Sequence, residues 1–151
     1  MFFIHSLDED TLRKARQVCT SAGMREESWG PQGSLFASDM AILKGLDDGG
    51  YALAKGDFTT STRLSSAKRL AFDAAGTTQV DSAPLPGAYA IVHADHTKRT
   101  VTASCDMLAT FPLFRFQDDV RLIITDRLSL MNHTLGIGFD PVVSSCFCRR
   151  G

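Results

Sequence analysis

The chain has 151 residues, 44% of them apolar and 22% charged, with a formal net charge of −1. One domain of that length can bury a core without disulfide or metal staples, and Lys and Arg interspersed among Asp and Glu exclude nucleic acid as the default partner. No apolar run is long enough to cross a bilayer, and four cysteines without a charged-then-apolar leader point to the cytoplasm rather than to a secreted disulfide framework.

In chain order, Met1 to His5 reads as a short buried strand, and Ser6 with Glu9 as a capping box that starts a helix. Leu12, Ala15, Val18, Cys19 and Ala22 then repeat at helical spacing, and Gly23 closes the helix. Trp29-Gly30-Pro31-Gln32-Gly33 is a turn, followed by two short strands, Ser34 to Ala37 and Met40 to Leu43, paired as a hairpin around Ser38-Asp39. Asp47-Asp48-Gly49-Gly50 marks another turn before the strand Tyr51 to Ala54, which ends at Lys55-Gly56-Asp57.

Ser61 is placed to cap a second helix bearing Leu64, Ala67, Leu70, Ala71 and Ala74 on one face and ending at Gly76, with Arg63, Lys68 and Arg69 on its wet side. A loop spans Thr77 to Pro86. Strands are then expected at Ala88 to His93, Thr100 to Ser104, Leu113 to Phe116 and Arg121 to Thr125, forming a meander of antiparallel pairs. Asp126 to Met131 should make one or two helical turns, and Asp140-Pro141 should open a final helix through Cys148. Helices with hairpin-linked strands indicate an α+β fold, sheet against sheet with helices outside.

Several short motifs carry no chemistry on inspection. Gly136-Ile137-Gly138 lacks the preceding strand and the Gly-Lys-Ser/Thr ending of a phosphate loop. His93 and His96 flank a turn, His5 and His133 lie far away in sequence, and Cys146-Phe147-Cys148 has no second ligand pair at zinc spacing. There is no Gly-x-Ser-x-Gly elbow. No metal site is expected.

One stretch does carry a resemblance. Leu85-Pro86-Gly87-Ala88-Tyr89-Ala90-Ile91-Val92-His93-Ala94-Asp95, Val101 to Asp106, Phe111-Pro112-Leu113-Phe114 and Val120 to Leu130 follow one another in the order seen in the class II glutamine amidotransferase domain of asparagine synthetases. Lys55-Gly56-Asp57-Phe58 is similar to that family's Asn-Gly-Glu-Ile turn and Gly30-Pro31-Gln32 to its Arg-Gly-Pro-Asp loop, while Asp140-Pro141 and Gly151 resemble the entry into its synthetase half. The likeness implies the N-terminal-nucleophile fold, a four-layer sandwich of two stacked, mainly antiparallel sheets flanked by helices. It also implies that residues 1–151 are a single glutaminase-like domain, the amino-terminal part of a larger protein.

The family's chemistry needs a cysteine at the amino terminus, whose thiol and free α-amine act together on the glutamine amide. This chain has Phe2 after the methionine, Trp29 where the family's carboxylate-binding arginine would stand and Lys55 in place of the oxyanion-hole asparagine. Cys105 and Ala109 replace a family arginine and glycine, whereas Asp106 is kept and is expected to hold its loop through backbone hydrogen bonds. By resemblance, Phe2, Trp29, Lys55, Gly56 and Asp106 line a vestigial pocket with no catalytic residue, Lys55 being read as an exposed turn lysine.

The resemblance therefore implies a non-catalytic scaffold in an ATP-dependent amide-forming ligase of the lasso peptide cyclase or β-lactam synthetase type. Relatives of that type take their amine from the substrate and need no glutaminase. This chain would use no cofactor itself, since ATP and Mg belong to a synthetase half whose Ser-Gly-Gly-x-Asp-Ser loop is absent here. Its partners would be that synthetase domain, in cis or in trans, and a peptide or small-molecule substrate. Two alternatives stand beside this: an independent hydrolase matured by internal cleavage, for instance at Ser104 or Cys105, and a stand-alone binding module.

Overall fold

The computed structural model describes residues 1–45, 50–60, 63–66, 87–95, 97–106 and 108–138. These form ten strands and two helices: β1 (Phe2–Ser6), α1 (Glu9–Ser21), β2 (Arg25–Ser28), β3 (Gly33–Ala37), β4 (Ala41–Gly45), β5 (Tyr51–Thr60), β6 (Arg63–Ser66), β7 (Gly87–Asp95), β8 (Thr100–Cys105), β9 (Phe114–Gln117), β10 (Arg121–Thr125) and α2 (Leu128–Leu135). The fold is α+β with two antiparallel sheets. Sheet A has the order β2-β3-β1-β10-β9. Sheet B runs β4-β5-β7-β8, with β6 also paired to β5.

Met1 to Ile4 are buried on both faces because β1 is the middle strand of sheet A and has a layer on either side. Phe3, Leu35 and Ile124 share one face and meet Leu53, Ala90 and Val92 of sheet B in the inter-sheet core. Phe2, Ile4, Phe36 and Ile123 share the other face and pack against Leu12, Ala15 and Cys19 of α1 and Leu130 and Met131 of α2. The described layers are thus helices, sheet A and sheet B.

The N-cap of α1 is Asp8, not Ser6. The Asp8 carboxylate accepts from the Asp10 N–H at 3.1 Å and the Thr11 hydroxyl at 2.5 Å. Ser6 Oγ instead accepts from the Asp8 N–H at 3.0 Å, a turn that ends β1. A carboxylate is favoured at this place by the positive end of the helix dipole, which Glu9 and Asp10 reinforce. At the other end Gly23 takes the left-handed φ of +71° that stops a helix.

Three sequence expectations change in three dimensions. β3 and β4 are not a hairpin: β3 is held on both edges by β1 and β2, so β4 crosses to sheet B and pairs with β5. The later strands are not one meander but two hairpins, β7–β8 in sheet B and β9–β10 in sheet A. Arg63–Ser66 is a strand paired with Thr60–Asp57, where the second helix was expected to begin. Phe58-Thr59-Thr60 extends β5 with residues suited to pleated sheet, and β6 extends the ladder from there.

The rest of that expected helix, the Asp47–Gly49 turn, the Thr77–Pro86 loop and the final helix from Asp140 lie outside the described residues. The charged strand β2, all exposed, had no apolar signal in the sequence and forms on the free edge of β3.

Candidate functional site

The amino end of β1 lies between the sheets. Strand alternation puts Met1 and Phe3 on the face toward sheet B and Phe2 on the helix face, where its ring packs edge-on against Phe36 at 6.0 Å. Phe2 therefore does not line an inter-sheet pocket; Met1, fully buried, is the residue at that end. Its α-ammonium lies 2.5 Å from Asp126 Oδ1. The second carboxylate oxygen is 2.8 Å from Lys55 Nζ.

Asp126 follows β10 directly, and its N–H donates to the Met1 carbonyl, which also accepts from the Thr125 hydroxyl at 2.9 Å. Lys55 follows Leu53 by two residues on β5 and so projects from the inner face of sheet B. One carboxylate thus holds the Met1 ammonium of its own sheet and, through Lys55, ties sheet A to sheet B. Lys55 is only 14% exposed, which replaces the expectation of an exposed turn lysine.

Burial opposes ionisation of Asp126, but the hydrogen bonds from Lys55 and the Met1 ammonium outweigh it and hold the carboxyl below its ordinary value. Burial is also the largest influence on the Met1 amine and lowers its pKa. Asp126 offsets this only in part, and the neighbouring charges of Lys55 and Arg127 lower it further.

Gly56 lies within β5 rather than in a turn and has a φ of +107°. A Cβ there would lie 2.1 Å from the Ala88 carbonyl oxygen and 2.8 Å from the Phe111 ring, so only glycine fits. Phe111 stands beneath Lys55 Nζ, 5.1 Å from ring centre to nitrogen. Asp106 fixes the loop leading to that ring, accepting from the Thr110 N–H at 2.9 Å and the Thr110 hydroxyl at 2.9 Å. The Thr110 N–H bond chiefly holds the Asp106 carboxyl below its usual range.

Lys55, Gly56 and Asp106 therefore belong to one cluster, completed by Met1, Phe111 and Asp126. Trp29 does not join them: it packs edge-on against Phe3 and His5 with centroids 5.4 and 5.7 Å away. Nothing in the sequence singled out Asp126, since its role depends on β10 lying beside β1.

Chemically, the cluster offers a buried amine and an ion pair but no placed nucleophile among the described residues. Cys19 is buried on the helix side, where burial pushes its thiol up to about 12. Cys105 is two strands from Lys55 in the same row of sheet B, across Ala90, or about 10 Å at the usual strand spacing. Ser104 and Cys105 both lie in the β7–β8 ladder. Among the described residues no three His, Cys, Asp or Glu side chains group as metal ligands do, and no helix is long and apolar enough to cross a membrane. Comparison with protein-family models, curated proteins and solved structures finds no match to this chain.

Proposed function

We propose that this chain is a non-catalytic, glutaminase-like scaffold domain of an asparagine-synthetase-like, ATP-dependent amide-forming ligase of the lasso peptide cyclase or β-lactam synthetase type. The observation that carries the reading is the amino terminus held between two antiparallel sheets. That is where the fold class implied by the resemblance keeps its nucleophile, and here the amine is locked to Asp126 beside Lys55, with Phe2 turned away. An amine bonded to Asp126, with only Met1 and Phe2 side chains at that end, has no thiol or hydroxyl beside it to activate.

The four-layer arrangement belongs to the same proposal. Ala52, Ala54, Tyr89 and Ile91, on the face of sheet B away from sheet A, are at most 2% exposed, which supports a further layer over that face. ATP and magnesium chemistry belongs to the synthetase partner, in the cytoplasm, and this domain braces that partner and contacts its peptide or small-molecule substrate.

The purified chain incubated with glutamine should release no ammonia above a protein-free blank, and it should co-purify with a co-expressed synthetase domain of this family. Glutamine-dependent ammonia release removes the non-catalytic reading. Failure to co-purify with any such domain removes the scaffold reading. The internally processed hydrolase is disfavoured because cleavage at Ser104 or Cys105 would cut β8 within its pairing to β7; a single full-length mass confirms that no cleavage occurs.

A further inference from the structure

At the end of β1 farthest from Met1, a cavity of about 390 Å³ opens between the sheets, lined by residues that include His5, Trp29, Gln32, Arg99, Val101 and Leu122. It is about 13 Å along the strand from the Met1 cluster, four residues at the usual rise. Its size falls within the roughly 300–1,000 Å³ of small-molecule sites.

One wall is apolar and preformed. Trp29 is held edge-on by Phe3 and His5, and Gly33 lies against it so closely that a Cβ there would be 2.7 Å from the indole. Val101 and Leu122 continue this surface from sheet B and sheet A. The cation of this lining is Arg99, which is exposed and joins no ion pair among the described residues. Its neighbour Lys98 is engaged by Asp95 at 3.3 Å. Arg99 also has a left-handed φ of +53°, a conformation rarely adopted by a residue with a side chain. A left-handed residue whose guanidinium joins no ion pair among the described residues, at the rim of a cavity, is an arrangement found at ligand sites.

We propose that this cavity binds a small organic monoanion, a carboxylate on a ring-sized apolar body. The Arg99 guanidinium pairs with the two carboxylate oxygens, its planar fork matching their geometry. Trp29, Val101 and Leu122 contact the body. One cation without an ion pair among the described residues of the lining suits a monoanion better than a phosphate. The proposal rests on the cavity alone and is independent of the scaffold reading.

Trp29 is the chain's only tryptophan, so its fluorescence reads the site directly. The full chain is titrated with benzoate, with the uncharged isostere benzamide and with inorganic phosphate. Benzoate should give a saturable change, with benzamide and phosphate at least about tenfold weaker. Arg99→Gln should weaken benzoate by about tenfold or more. Arg99→Gly should lose binding equally while its melting temperature stays level or rises, because glycine accepts the left-handed backbone. No saturable benzoate response, equal binding of benzamide or phosphate, or benzoate binding unchanged in both Arg99 variants overturns the proposal.

Discussion

Asp126 is the residue on which the inter-sheet cluster depends, because among the described residues it is the one carboxylate between a buried ammonium and a nearly buried lysine. Replacing it by Asn strands both cations, so Asp126→Asn should lower unfolding free energy by about 3 kcal/mol in a urea titration. Lys55→Met should cost less, about 1 kcal/mol, since the Met1 pair survives and a thioether packs well on Phe111. The carboxyl is held below its ordinary value in the fold, so its contribution is present above the unfolded-state value near 3.8 and is lost as pH falls through the folded one. The stability gap between wild type and Asp126→Asn should therefore narrow below about pH 4, as followed by urea midpoints at several pH values. A gap that stays constant into acid would show that the ionised carboxylate contributes nothing.

At the scale of elements, glycine chemistry and helix docking make separate predictions. Gly56 lets β5 pass close to β7 with Phe111 laid over it, so Gly56→Ala should cost about 3 kcal/mol or leave the chain insoluble on expression. Leu12 is the 5% exposed anchor of α1 on sheet A, and Leu12→Ala should lower stability by about 3 kcal/mol in the same urea titration. The existence of α1 was legible because its apolar spacing, its acidic first turn and Gly23 are all local signals. Its cap was misplaced because Ser6 and Asp8 are both competent, and only the end of β1 decides between them. β2 was invisible for a related reason: Arg-Glu-Glu-Ser has no strand pattern of its own and takes its conformation from the edge of β3.

Across the whole molecule, the buried amino terminus makes the chain sensitive to extension. A residue placed ahead of Met1 turns the ammonium into an amide and must enter a site where Met1 is fully buried, so an amino-terminal tag should lower the melting temperature relative to a carboxyl-terminal one. Equal melting temperatures would show that the Met1–Asp126 pair adds no stability. The same position supports the scaffold reading, because the inter-sheet end that would hold chemistry is filled by structural ion pairs.

Alternation and turn residues in the sequence were enough to determine antiparallel strands, an early helix and an α+β class, because these signals act over a few residues. Which strands share a sheet, that Met1 rather than Phe2 faces sheet B, and that Asp126 meets Lys55 across 71 residues were decided only by tertiary structure. Each depends on which edge of a strand is already occupied and which face is already covered, and no local pattern of side chains encodes that.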